Sequence, residues 1–415
     1  MAELLNKGLD WLFSWVGGSI PAGSSVGYVV AALIYVSLLL GLVANAALIF
    51  IWLERKVSGR IQDRLGPTRV GGKFGWLQTL ADGMKLLTKE DLVPGDADKM
   101  LFRIAPYVSF CASLAAFIAL PFAGRDFPFV AQHMNIAVFF VLAVMGLEVF
   151  GVILAGYASA SKWSLFGAMR EAAQVVSYEV PMGLCVVVPV MLAGSMDLVF
   201  IGDKQQGWFT NWYLFNDPFT FLVFWVYFTC GTASVNRAPF DLAEAESELV
   251  AGFHTEYSGL RWSFFFMAEY GSMLAVSMLA AILFLGGWNG PIPIASLLGL
   301  TWENGDVPGY IGNLLGMINV IAKGFLLVTV MIWVRWTLPR LRIDQVMTTC
   351  LKYCTPLAAV MFVGAAIWHT AMPDRVFLGL LQSPAVNRRL TEQLPDNSLN
   401  VQAIEQGAIA QGDRP

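Results

Sequence analysis

Residues 236–259 read NRAPFDLAEAESELVAGFHTEYSG and stand between two long apolar runs, 218–235 and 262–287. Asp241, Glu244, Glu246, Glu248 and Glu256 crowd into that stretch, with only Arg237 and His254 as counterweights. An apolar run of about 20 residues is the length that crosses a bilayer. A row of acids between two such runs is costly unless it has a purpose. Two carboxylates about 6 Å apart, at an effective dielectric of about 20, repel by roughly 3 kcal/mol. That repulsion corresponds to roughly two pKa units, and desolvation pushes in the same direction. Members of such a cluster are expected to hold or exchange protons near neutral pH as a coupled set. A solvated acidic loop is the alternative. Interleaved Leu242, Ala243, Ala245, Leu249 and Val250, with Pro and Gly bracketing the block, favour a packed segment.

Working outward, composition sets the class. The 415 residues are 57% hydrophobic and only 13% charged, against about 25% charged in a soluble domain. The chain is therefore read as an all-α polytopic membrane protein. Its net charge of −4 says nothing about nucleic acid, but no basic stripe with interleaved aromatics exists, so no nucleic-acid partner is expected. The five cysteines are Cys111, Cys185, Cys230, Cys350 and Cys354. Cys350 and Cys354 are one helical turn apart, but no His or second Cys pair accompanies them, so they are read as core thiols and no metal site is expected. There is no haem, iron–sulfur or flavin signature, so redox chemistry would use a cofactor held elsewhere.

Eight segments are long enough to span: 28–53, 104–122, 134–158, 175–201, 218–235, 262–287, 311–336 and 355–373. An even number puts both termini on one side. Basic residues choose the side. Arg55, Lys56, Arg60, Arg64, Arg69, Lys73, Lys85, Lys89, Lys99 and Arg103 follow the first span, and later connections on that side add Lys162, Arg170, Arg237, Arg261, Arg340, Arg342 and Lys352. The opposite loops carry Arg125 and Lys204. The rich side is expected to be cytoplasmic, or the mitochondrial matrix. Three segments follow: an N-terminal interfacial segment (1–27, with an amphipathic helix at 3–20), a membrane bundle (28–376) and a polar C-terminal extension (377–415).

Ionisable groups also fall inside the spans: Glu148, Glu179, Glu269 and Lys323. One such residue could be paired locally. Several of them beside the 241–256 block point to a connected polar route. The first basic loop, residues 54–95, has Glu54, Arg55 and Lys56 at the membrane face, then Arg60, Asp63, Arg64, Gly66, Pro67, Arg69, Gly71 and Gly72. Gly and Pro make a tight backbone, and arginines beside it can grip polar groups with forked hydrogen bonds. Phe74, Leu77, Leu80, Ala81, Met84, Leu86 and Leu87 then recur at helical spacing among Lys73, Asp82, Lys85 and Lys89, predicting an amphipathic helix along the membrane surface. Binding of anionic lipid by this loop is one reading. The other is a cavity open to the membrane that takes a long apolar ligand with a polar head.

Three blocks carry a resemblance: ERKVSGRIQDRLGPTRVGGKFGWLQTLADGMKLLTKE (54–90), FGAMREAAQVVSYEVPMGL (166–184), and the acid block followed by FFFMAEY (264–270). Through them residues 28–375 resemble the quinone-site membrane subunit of respiratory complex I, the NuoH family. The resemblance implies a subunit of proton-translocating NADH:quinone oxidoreductase, a translocase with no redox centre of its own. Ubiquinone or menaquinone would be its substrate, with no metal or flavin in the chain. It implies that Glu54, Arg55, Arg60, Arg64 and Arg237 line or support the quinone cavity. Asp241, Glu244, Glu246, Glu248 and Glu256 would form the charged loop facing it, Glu179, Glu148 and Glu269 would continue the route, and Arg170 would sit at the junction. Implied partners are iron–sulfur quinone-module subunits, small and antiporter-like membrane subunits, and lipid, in a bacterial cytoplasmic membrane. Glu171 departs from the family pattern, which has a small apolar residue there, and Pro181 could bend its span. Two other readings are a stand-alone cation/proton transporter, which the elaborate first loop disfavours, and the membrane anchor of a related hydrogenase complex.

Overall fold

The computed structural model describes residues 25–124, 128–243, 246–300 and 305–371. The chain divides into Met1–Phe377 and Leu378–Pro415. The second unit and the helix expected at 3–20 lie outside the described residues. All regular structure among the described residues is helical. Helix α1 (Ser25–Ile61) is followed by a 3₁₀ turn (Gly72–Phe74), α2 (Gln78–Thr88), α3 (Lys99–Ala116), α4 (Ala137–Ala158) and α5 (Lys162–Ala193). Next come α6 (Leu198–Lys204) and α7 (Pro218–Ser234). The acid block forms the single turn α8 (Glu246–Leu249) and a 3₁₀ turn (Gly252–His254) before α9 (Gly259–Phe284). The remainder is α10 (Ile294–Leu297), α11 (Asp306–Thr337), α12 (Ile343–Met347), a π turn (Thr348–Cys354) and α13 (Thr355–Ala371).

Among the described residues, six helices are long and apolar enough to cross a membrane: Ala32–Ile61, Ala137–Ala158, Lys162–Ala193, Gly259–Phe284, Val307–Thr337 and Ile343–Ala371. This makes the chain a multi-pass membrane protein. The two other expected spans are helical but fall short. Lys99 and Arg103 dilute the 18 residues of α3, and α7 has only 17 residues. The fourth span also differs from expectation, beginning at Lys162 instead of 175 and ending at Ala193. Arg170, Glu171 and Gln174 do not stop it because each finds a polar partner across the helix face. Gly194, at φ 73°, ends it in the left-handed conformation that glycine adopts freely.

Helix α9 is the axis. Every residue from Tyr270 to Phe284 is buried, and beyond Ser272 this stretch is apolar all round except for Ser277, as expected of a helix enclosed by others. Helices α1, α3, α7 and α11 pack around it. Small residues permit the close approach typical of membrane helices. A Cβ on Gly271 would come within 2.6 Å of the Ser113 hydroxyl, and one on Gly151 within 2.7 Å of the Ser109 amide.

The basic connections gather at one end of this bundle. The Leu92 amide donates to the Ser258 hydroxyl, which donates to the Glu90 carbonyl, and Arg261 pairs with Asp91 at 2.8 Å. The first loop and the acid block therefore share one face. At the other end, the Lys323 ammonium donates to the carbonyls of Leu285, Gly287 and Asn289 at 2.5, 2.8 and 2.5 Å. This cation caps the chain leaving α9 and stands apart from the acids.

Candidate functional site

The polar centre lies where α1, α9 and α11 meet the loop after α7. Arg237 is almost wholly buried. Its guanidinium lies 2.7 Å from Glu269 and 3.5 Å from Glu54 and sits 4.4 Å over the Tyr270 ring. Arg335 donates to Glu54 at 2.5 Å, and Tyr270 donates its hydroxyl to the other Glu54 oxygen. Two acids are thus balanced by two arginines. Buried charges at this depth persist only when paired and hydrogen-bonded.

A second group of acids adjoins it. Glu148 on α4, Glu171 on α5 and Glu269 on α9 line one cavity of about 20 Å³, together with His254, Asn236 and Ser234. That is room for about one water. Ser272 donates to Glu148 and lies 3.1 Å from Ser113, whose hydroxyl donates to the Ala268 carbonyl. Asn236 donates to Glu171 at 2.8 Å and accepts from Gln174 at 3.0 Å. Glu171 is fully buried and part of this group.

Among the described residues, the acids of the block do not all face one another. Glu248 is exposed, pairing with Arg170 at 2.7 Å and Arg340 at 2.6 Å. The hydrogen bond from Arg170 and the charge of Arg340 hold its carboxyl below the usual range. The expectation of a raised, proton-holding group fails for Glu248, because arginines from α5 and from beyond α11 reach it before any other acid does. Asp241 and Glu256 are partly buried, and the side chains of Glu244 and Glu246 lie outside the described residues. Val250 holds φ 66°, an uncommon conformation for a β-branched residue.

A groove opens beside the first loop, lined by Arg55, Ser58, Gln62, Arg64, Pro67 and Gln78, with a volume of about 520 Å³. Arg55 pairs with Asp82 on α2 at 2.5 Å. The Lys56 ammonium donates to the Pro67 carbonyl at 2.7 Å and the Trp52 indole to the Phe74 carbonyl at 2.9 Å. These bonds fold the Gly-rich turn against α1. Leu80, Met84 and Leu87 on α2 are exposed, as the amphipathic pattern predicts. Of the residues expected here, Arg55 and Arg64 line the groove and Arg60 is exposed outside its lining, whereas Glu54 and Arg237 belong to the buried centre. Glu179 is exposed on the outer face of α5, with one oxygen near Gly146 of α4.

Sequence reasoning missed Arg335, Tyr270, Ser272, Asn236 and Gln174. Arg335 ends a span and resembles an ordinary basic flank. The others are polar residues whose partners lie on distant helices. FFFMAEY held a signal for Tyr270, since a tyrosine beside an intramembrane acid usually needs a partner for its hydroxyl.

Residues 33–366 match the family described as NADH dehydrogenase. The chain is 45% identical to the H subunit of NADH-quinone oxidoreductase from Chlorobium luteolum over 376 residues, covering 90% of this chain and 97% of that protein. It is 42% identical to the H subunit from Anaeromyxobacter dehalogenans over 371 residues, 89% of this chain and 88% of the relative. It is also 42% identical to the H 2 subunit from Rhizobium etli over 347 residues, 81% of this chain and 94% of the relative. The matched region begins in α1 and ends in α13, spanning the groove, the acid block and the buried centre, and the chain therefore belongs to the family of NADH-quinone oxidoreductase H subunits.

Proposed function

We infer that this chain forms the membrane-facing wall of the quinone site in complex I and carries the charge coupling between that site and proton translocation. The observation that carries this reading is the run of buried and half-buried ionisable groups on five helices and one loop: Arg335, Glu54, Arg237 and Glu269, then Glu171 and Glu148 across one small cavity. Such an arrangement is expensive for stability alone.

The groove beside α1 suits the substrate. Its volume falls within the range of small-molecule sites, and Arg55, Arg64 and Gln78 offer donors to a quinone head. The exposed apolar side of α2 lets a long tail remain in lipid. Two electrons would come from an iron–sulfur centre in a neighbouring subunit, and two protons complete the quinol. The charge that arrives with the electrons shifts the ion pairs of Arg237, which touches both Glu54 and Glu269. Glu269 passes that change to Glu171 and Glu148 through the shared cavity. Glu179, on an outer membrane face, is where a small or antiporter-like membrane subunit would pack. A bacterial cytoplasmic membrane is the setting, with the basic end inside.

Glu148→Gln and Glu269→Gln, each in the assembled complex in native membranes, test the reading. NADH oxidation by quinone should slow, or proceed with fewer protons moved per pair of electrons. Unchanged rate and stoichiometry in both variants would sink it.

A further inference from the structure

We propose that His254 is a proton-transfer residue, passing protons between the acid-block loop and the buried carboxylates Glu148, Glu171 and Glu269. The inference rests on the coupling role assigned to those carboxylates above.

His254 is the histidine of this chain that lies among acids on the basic side. Of the other two, His133 pairs with Asp197 at the opposite end and His369 lies near the end of α13. Its ring is buried against Phe253, with centroids 3.9 Å apart, and against Phe265 at 5.4 Å. It also borders the cavity to which Glu148, Glu171 and Glu269 come from three different helices. The charged groups facing it are therefore Glu148 from α4, Glu171 from α5, and Glu269 from α9 with Arg237 bound to it; α3 presents Ser109.

The backbone carrying the ring is held firmly. The Thr255 hydroxyl donates to the Gly252 carbonyl at 2.6 Å, and Ser164 on α5 donates to the Phe253 carbonyl at 3.3 Å. Gly167 lets α5 approach so closely that a Cβ there would lie 2.9 Å from the Phe253 amide. The other end of the loop is fixed at the surface by Glu248 through Arg170 and Arg340. The loop thus runs from an exposed charged anchor to a buried ring in seven residues, from 248 to 254.

An imidazole can accept a proton on one nitrogen and release the proton held on the other. The ring takes a proton from a hydronium ion on the loop side, leaving water, and gives its other proton to a water in the cavity. That water passes one of its own protons to a carboxylate. Ring reorientation or the reverse sequence restores the first tautomer. No electrons move, and the proton count balances at each transfer. A ring serving only as aromatic packing would not need to border the acids.

The test uses His254→Gln and His254→Asn in membranes containing the whole complex, with Glu148→Gln in parallel. NADH oxidation by an artificial electron acceptor reports assembly. Quinone-dependent turnover should fall by about ten-fold or more, with quinone KM nearly constant. The solvent deuterium isotope effect should rise, and the pH profile should lose a limb. Assembled variants with wild-type turnover, pH profile and isotope effect overturn the proposal. Should neither variant assemble, infrared difference spectra of the wild-type complex with ¹⁵N-histidine decide, recorded on quinone reduction. A shifted imidazole band supports the relay, and its absence overturns it. If Glu148→Gln behaves as wild type, the coupling role itself fails. If only the His254 variants do, the failure belongs to His254 alone.

Discussion

Glu54 and Arg335 are 281 residues apart in sequence and 2.5 Å apart in space. They join the C-terminal parts of α1 and α11, beside α9. Removing Arg335 leaves buried Glu54 with Arg237 at 3.5 Å and the Tyr270 hydroxyl only, and breaking a buried pair costs up to about 3–5 kcal/mol. Arg335→Met should lower the thermal inactivation temperature of the assembled complex. Glu54→Gln combined with Arg335→Met should restore part of it, with a coupling of about 1–3 kcal/mol. Strictly additive losses in the double variant would show that the two side chains do not interact.

The Glu248 clamp predicts a pH dependence with a definite sign. Its carboxyl is held below the usual range in the folded protein by Arg170 and then Arg340. A depressed native pKa adds stability above the unfolded value, about 4.3 for Glu, and that stability is lost as pH falls through the lower native value. Protease cleavage within 244–250 should rise only in strongly acid buffer. Because the pair is exposed, salt should raise cleavage as well. Glu248→Gln should be cut readily at every pH. A variant as resistant as wild type at neutral pH would show that the clamp does not hold the loop.

The turn beside the groove depends on Gly75. It holds φ 62°, and a Cβ there would sit 2.2 Å from the Pro67 carbonyl oxygen. The left-handed conformation alone costs a residue with a Cβ about 1–2 kcal/mol, and the clash adds to it. Gly75→Ala should therefore distort the groove wall, raising quinone KM several-fold while changing turnover less. Quinone titrations in membranes measure both, and an unmoved KM would separate this turn from the quinone site.

Ser272 holds Glu148 by a hydrogen bond between α9 and α4. A side-chain hydrogen bond contributes about 0.5–1.5 kcal/mol. Ser272→Ala should shift the carboxyl stretching band assigned to Glu148 and weaken proton pumping more than electron transfer. The comparison requires infrared difference spectra and pumping assays on the same membranes. Identical bands in variant and wild type would place the hydroxyl outside the coupling path.

Composition and apolar run lengths alone determined that this chain is an all-helical, multi-pass membrane protein, because lipid requires every backbone polar group to be satisfied within its own helix. The same residues yielded the amphipathic helix after the Gly-rich loop, the basic end of the bundle, and Glu148 and Glu269 as intramembrane acids. Spacing could not decide which charges meet. The acid block reads as one coupled row, yet Glu248 turns outward to two arginines while its neighbour in sequence, His254, turns inward. Glu54 reads as part of the first loop, yet it pairs with Arg335 and Arg237 in the interior. The fourth span runs through Arg170 and Glu171 because partners elsewhere satisfy them. Hydropathy is a local property that survives in one dimension. Ion pairing in a low-dielectric interior acts over a few ångströms between distant segments, so only the packing of helices around α9 settles it.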